Sequence, residues 1–216
     1  MKFLKVTLIT ILVLSATAVT AAAQHSQGDG HDHDHGHEHD MEQMQQLDSD
    51  AISHSESLHQ VPTTWINQNS DTVQIKDFAG QPLIVVMFYG KCTETCPMLI
   101  QRTWKLYSSL SEETQGKLNV LAVSFDYKND TPDALKEYAE YEQLDLPGWH
   151  FVTADQTDIR QLATLLGVQY RERSDGHFDH SNLITILDNY GNISRRIEGI
   201  IGDMDEDIHF IESLTR

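Results

Sequence analysis

Two cysteines and five prolines are all that the 216 residues contain, and acidic side chains outnumber basic ones 33 to 15. Each shortage excludes something. With so few Lys and Arg and no basic stripe, nucleic acid is excluded as a partner, because that binding rests on neutralising phosphates. The same lack leaves no polybasic patch for anionic lipid. The formal net charge of −18 says only that the chain stays soluble and repels polyanions. Past residue 23 no apolar run approaches the roughly 20 residues that cross a bilayer. There is no internal repeat, no phosphate loop and no Ser-His-Asp arrangement placed for catalysis. A peroxidase signature, a single activated thiolate beside an Arg, is also missing.

What is present begins with Lys2 and Lys5, an apolar run from Val6 to Val19, and the small residues Ala21-Ala22-Ala23. This order predicts a secretory signal over residues 1–23, cut after Ala23. The protein is then exported, to the periplasm of a Gram-negative cell, and keeps no transmembrane segment of its own. If uncleaved, the run tethers it to the membrane. Residues 24–60 are rich in Gly, Asp, Gln, Ser and His, a composition that cannot offset the entropy of ordering, so a disordered His-rich extension is expected. It holds His31, His33, His35, His37 and His39, alternating with acids and glycine. Neutral imidazoles on a flexible chain gather Cu(II), Zn(II) or Ni(II) with little selectivity. Met41 and Met44 offer thioethers to Cu(I).

From Val61 to Arg216 the pattern is that of one folded domain. Val73 to Phe78 alternates apolar and polar residues. Leu83 to Tyr89 and Asn119 to Asp126 read as strands buried on both faces. Pro97 to Leu110 reads as a helix, and Thr131-Pro132 supplies an N-cap and a proline at the first helical position of another. A short strand at His150 to Thr153 precedes a helix over Asp155 to Gly167, with Gly167 as its C-cap. Leu183 to Leu187 and Ile193 to Ile197 flank the turn Asp188-Asn189-Tyr190-Gly191 as a hairpin, and a helix starts near Asp203. This order predicts an α/β fold with a central mixed β-sheet flanked by helices. Trp104, Tyr138 and Trp149 are expected in or against the core, and Asp126 and Asp130 in the loop and cap before the Pro132 helix.

The chemistry concentrates in Tyr89-Gly90-Lys91-Cys92-Thr93-Glu94-Thr95-Cys96-Pro97. A disulfide closing so small a loop stabilises little, so the cysteines are better explained by reactivity. At a helix N-terminus the unpaired N–H groups and the dipole lower thiol pKa values, with Lys91 adding to the effect. The C-x-x-x-C spacing brings two sulfurs onto one turn, suited to Cu(I). His180, in Asp179-His180-Ser181, lies just before the Leu183 strand. In thioredoxin-like folds the loop entering this strand faces the cysteine turn and usually carries a cis proline; here none of the five prolines lies there. Two thiolates and an imidazole suit copper in either oxidation state. His177 is a weaker candidate.

Strand–Gly-Lys-Cys92-Thr-Glu-Thr-Cys96-Pro–helix, then Ser124-Phe125-Asp126 with Asp130-Thr131-Pro132, then Phe178-Asp179-His180-Ser181 before a strand, resembles the SCO/SenC family over residues 62–216. Thr93 stands where the family commonly has proline. The resemblance implies a thioredoxin-like domain over residues 61–216. It also implies copper held by Cys92, Cys96 and His180, and delivery toward the copper-bearing subunit of cytochrome c oxidase or another copper protein. A thiol reductant is then a required partner, since the thiols must be reduced to hold copper. On this reading the protein is a copper chaperone rather than an enzyme. Two alternatives stay open: a thiol-disulfide oxidoreductase acting through Cys92 and Cys96 on a copper protein's cysteines, and a general metal buffer using the histidine tract.

Overall fold

The computed structural model describes residues 57–93 and 95–216. The signal segment, the histidines at 31, 33, 35, 37 and 39, and the extension as far as residue 56 lie outside the described residues.

The strands are β1 (Trp65–Asn67), β2 (Thr72–Val73), β3 (Leu83–Phe88), β4 (Asn119–Ser124), β5 (Trp149–Thr153), β6 (Tyr170–Glu172), β7 (Phe178–His180), β8 (Leu183–Leu187) and β9 (Ile193–Glu198). The helices are α1 (Thr95–Ser108), α2 (Glu112–Gln115), α3 (Pro132–Tyr141), α4 (Gln156–Leu166) and α5 (Asp205–Leu214). Seven strands form a mixed sheet in the order β2-β1-β5-β4-β3-β8-β9. The strands β3, β4 and β5 run parallel, while β8 lies antiparallel to β3 on the other side. Parallel neighbours need crossovers, which α1 and α3 supply.

The central strands carry unbroken apolar runs because both of their faces are covered. All six residues of β3 and all five of β8 are buried. Outermost β9 alternates partly buried and exposed residues, as a strand with one wet face does. Trp149 is buried, and Trp104 and Tyr138 are partly buried against the core.

Helix ends follow the local chemistry of the sequence. Thr131 Oγ1 accepts the Ala134 N–H at 3.3 Å, with Pro132 opening α3. Asp155 caps α4 by accepting from Thr157 and Asp158 at 2.8 and 3.0 Å. At the other end of α4, Gly167 takes φ +81°, a left-handed conformation that costs a glycine nothing.

Three features differ from the sequence reading. The alternation from Val73 to Phe78 is a strand only at Thr72–Val73; Asp77 accepts the Gln74 N–H at 2.7 Å and winds Ile75–Phe78 into a 3-10 turn. The loop expected before β8 is itself paired: β6 and β7 form a small antiparallel sheet with Tyr170 opposite His180 and Arg171 opposite Asp179. The folded part also starts before residue 61. Leu58–Gln60 form a 3-10 turn with Leu58 buried, its N–H bonded to the Gly191 carbonyl at 2.9 Å, and the Ser57 hydroxyl donates to the Tyr190 carbonyl.

If that turn is part of the fold, Leu58→Ala will lower unfolding free energy by about 2–4 kcal/mol, the usual cost of emptying a buried leucine site. Urea denaturation of the metal-free protein measures it. A change near zero would return Leu58 to the extension.

Candidate metal centre

β3 delivers the chain to the C-terminal edge of the sheet, where Tyr89 and Gly90 begin the turn into α1. Cys92 sits in that turn, its N–H bonded to the Tyr89 carbonyl at 3.2 Å. Cys96 is in the first turn of α1, and its N–H donates to Cys92 Sγ at 3.3 Å. The Cys92 sulfur thus accepts one of the N–H groups that a helix N-terminus leaves without a helical partner. The two cysteines are not joined in a disulfide; Cys96 is fully buried and Cys92 is 8 % exposed.

The turn is anchored from β4. Asp130 Oδ2 accepts the Gly90 N–H at 2.7 Å and also the Ser124 hydroxyl, which joins the ends of two neighbouring parallel strands. The contact is close enough to require glycine: a Cβ at position 90 would lie 2.8 Å from Asp130 Oδ1. Burial pushes the Asp130 carboxyl above its ordinary range, against the opposing pull of the Ser124 and Gly90 hydrogen bonds. Asp130 therefore reaches back to the cysteine turn instead of capping the following helix, which Thr131 does. Asp126 is a loop residue as expected, accepting the Asn129 side-chain amide at 2.8 and 2.9 Å.

His180 ends β7 and faces the two thiols. Its Nε2 lies 3.0 Å from Cys96 Sγ and 3.4 Å from Thr95 Oγ1. On the other side of the ring, Nδ1 lies 3.1 Å from the Ser181 carbonyl oxygen. A carbonyl can only accept, so Nδ1 carries the proton and the Nε2 lone pair points at the sulfurs. Ligand atoms of Cys92, Cys96 and His180 all lie within 4.8 Å of one another. Two sulfurs and an imidazole nitrogen converging in this way fit a soft or borderline ion, and the Nδ1–H to carbonyl bond is the kind of support that orients a metal-binding histidine. Among the described residues this is the group that could hold a metal ion.

Aromatic rings wrap the histidine. Phe125 and Tyr89 lie 5.2 and 6.2 Å from the His180 ring by centroid, and Phe178 and Tyr170 each stand 5.1 Å from Phe125. Asp130 reads from the sequence chiefly as a loop and cap residue, with polarising the site as the other possibility, whereas these rings escaped the sequence reading as parts of the site. Their signal was position alone: Tyr89 precedes the cysteine motif, Phe125 sits inside Ser-Phe-Asp, and Phe178 stands two residues before His180.

Thiol acidity departs from expectation. Burial pushes the Cys96 thiol well above its ordinary range, with the Cys92 side chain adding to the shift. The helix terminus does not prevail because Cys96 lies inside the first turn, where desolvation of a thiolate outweighs the dipole. Lys91 directs its ammonium to Asn129 Oδ1, at 3.0 Å. His177 stands apart from the ligand group, with Nδ1 3.2 Å from the Tyr89 hydroxyl.

The SCO1/SenC family model matches residues 52–215. The SCO1 protein homolog of Bacillus subtilis is 26% identical over 103 residues, 47% of this chain and 53% of that protein. The chain spans about half the length of the first curated relatives it matches. The structure of Bradyrhizobium japonicum ScoI with copper bound superposes with a TM-score of 0.57 at 22% identity, covering 70% of this chain and 96% of that one. BsSco, a member of the Sco family of cytochrome c oxidase assembly proteins in which a disulfide switch is identified, gives 0.63 at 22% identity, covering 71% and 92%. These likenesses show the thioredoxin-like Sco fold.

Because the Asp130 carboxylate is pinned by two donors, it cannot yield to a methyl group at position 90. Gly90→Ala is expected to cost about 1–3 kcal/mol, the range for overpacking a tight site. Urea unfolding gives the value, and a variant as stable as the parent would refute the clamp.

Proposed function

The chain belongs to the SCO1/SenC family, and from that premise we propose that it is an exported copper metallochaperone whose cargo is held by Cys92, Cys96 and His180. One observation carries the reading: two thiols and a correctly oriented imidazole nitrogen, supplied by different parts of the chain, converge within 4.8 Å. The copper found in the Bradyrhizobium relative supports the choice of ion. Thiolate sulfur favours Cu(I), and the imidazole tolerates Cu(II). The recipient is the copper-bearing subunit of cytochrome c oxidase, or another copper protein, in line with the role named for BsSco. A signal over residues 1–23 brings the chain to the periplasm, where a thiol reductant keeps Cys92 and Cys96 reduced.

The same two sulfurs lie within 4.8 Å of each other, and a second reading is a thiol-disulfide oxidoreductase that reduces a copper protein's cysteines. In that case Cys92, the less buried sulfur, attacks the partner disulfide, and Cys96 resolves the mixed disulfide. The histidine tract at 31, 33, 35, 37 and 39 is assigned a collecting role upstream of the core site; as a general buffer it acts alone.

Three outcomes separate these readings. The reduced protein should take up one tight copper with sulfur-to-copper absorption. Cys92→Ser, Cys96→Ser and His180→Ala should each weaken it by more than about a hundredfold, since even supporting residues around a metal cost 10–100-fold. Deleting residues 24–56 should leave that site unchanged and remove only weaker binding. A core that binds no copper, yet reduces disulfides through Cys92 and Cys96, would install the oxidoreductase reading.

The thiols must lose their protons to bind, and Cys96 holds its proton more firmly than a free thiol. Below the thiol pKa values, falling pH therefore weakens binding. Competition titrations should show apparent copper affinity dropping by at least about tenfold per pH unit, the signature of one or more protons released per ion. A flat profile between pH 6 and 8 would show that the sulfurs are not the ligands.

A further inference from the structure

Cys92 opens onto a cleft of about 210 Å³ that it lines together with Tyr89, Thr93, Arg173, Asp175 and His177. Cys96 is fully buried, so of the two sulfurs only that of Cys92 meets an incoming ion from this side. The far wall is the β6–β7 turn, and it is braced. Arg173 N–H donates to the His177 carbonyl at 2.7 Å, Asp175 Oδ1 accepts the His177 N–H at 3.1 Å, and Arg173 pairs with Asp175 at 2.8 Å. His177 is thus held over the cleft by its own turn rather than left on a loose loop.

The Tyr89 hydroxyl joins the two sides. It contacts His177 Nδ1 at 3.2 Å and accepts the Phe178 N–H at 3.4 Å. A phenol has one proton to give and two lone pairs to receive. One lone pair accepts from Phe178 N–H; in the tautomer whose Nδ1–H donates to the other, the Nε2 lone pair of His177 is left for a metal. The Tyr89 ring stands 6.3 Å from the His177 ring and 6.2 Å from that of His180 by centroid. One tyrosine is therefore shared between the resident imidazole and a second one nearer to solvent.

We propose that His177 is a transit ligand, pairing with Cys92 in this cleft as copper moves between the outside and the Cys92–Cys96–His180 site. This rests on the copper reading above. Losing three ligands together is slow, whereas exchanging one at a time replaces each broken bond with a new one. On the way out, a bond from His177 Nε2 forms as that from His180 Nε2 breaks. The bond to Cys96 breaks next as one to a donor atom of the incoming acceptor forms, and the freed sulfur takes a proton from water. The ion keeps its oxidation state throughout, since only ligands are exchanged. The inward path is the reverse.

The test uses the full-length protein loaded with Cu(I) and mixed with excess of a colorimetric Cu(I) chelator, in wild type, His177→Ala and His177→Gln. Copper withdrawal should slow by about tenfold in His177→Ala, a barrier effect, while equilibrium affinity stays within about twofold because the resident ligands are intact. His177→Gln should be equally slow: its amide can keep the hydrogen bond to Tyr89 but is no soft-metal ligand. Withdrawal as fast as wild type in His177→Ala, a rate restored by Gln, or an affinity loss matching the rate change would each overturn the proposal. Wild-type protein that holds no copper would instead sink the copper reading itself.

Discussion

The site depends on a single buried carboxylate. Asp130 ties Gly90, just past the end of β3, to Ser124 at the end of β4, and so fixes the turn from which both cysteines project. Burying a carboxylate is costly unless its oxygens are satisfied, and here one N–H and one hydroxyl do much of that work. Desolvation still dominates, since the Asp130 proton is held more tightly than in a solvated carboxyl. By linkage, the native state gains from protonation of this group, and ionising it as pH rises removes that gain. The fold accepts the strain because the position of the turn decides whether two sulfurs and an imidazole meet.

Around that anchor the ligands differ in kind. Cys96 is locked in the helix and fully buried, whereas Cys92 lies at the edge of a cleft. His180 comes from a separate small sheet, with its ring fixed by the Ser181 carbonyl and by aromatic neighbours. In the metal-free state, burial keeps the Cys96 proton in place, so the empty site does not bury an uncompensated thiolate. A cation arriving supplies the charge that burial alone cannot tolerate, and proton release and metal binding become one event.

Much of this could be read in the sequence. The buried runs of β3, β4 and β8, the Thr131-Pro132 and Asp155 caps, the Gly167 stop and the terminal hairpin and helix all follow from local patterning. Cys92, Cys96 and His180 were legible because ligand chemistry restricts residue type. What escaped depends on non-local partners. β1 and the β6–β7 pair are three-residue strands, too short for a period to show, and Arg171 and Asp179 look like loop residues until paired at 2.7 Å. Asp130 looked like a cap because its neighbours make a cap; its contact with Gly90 spans 40 residues. The sign of the Cys96 shift was misjudged since burial, which sequence does not give, opposes the helix terminus, which it does.

On the proposed reading as a copper carrier, tight holding and release fall on different atoms. Affinity is then a property of the three ligands and of the aromatic rings packed around His180. Rate, on the same reading, is a property of the ligand that keeps hold of the ion at the surface while the others are exchanged one at a time. With Cys96 buried in α1, that ligand is Cys92, at the edge of the cleft that it lines together with His177. A receiving thiol or imidazole brought to this edge bonds an ion still held by Cys92, so the barrier is that of single exchanges. Direction then follows from the acceptor alone: an acceptor with more thiolates, or with thiolates of lower pKa, draws the ion away while Cys96 recovers its proton.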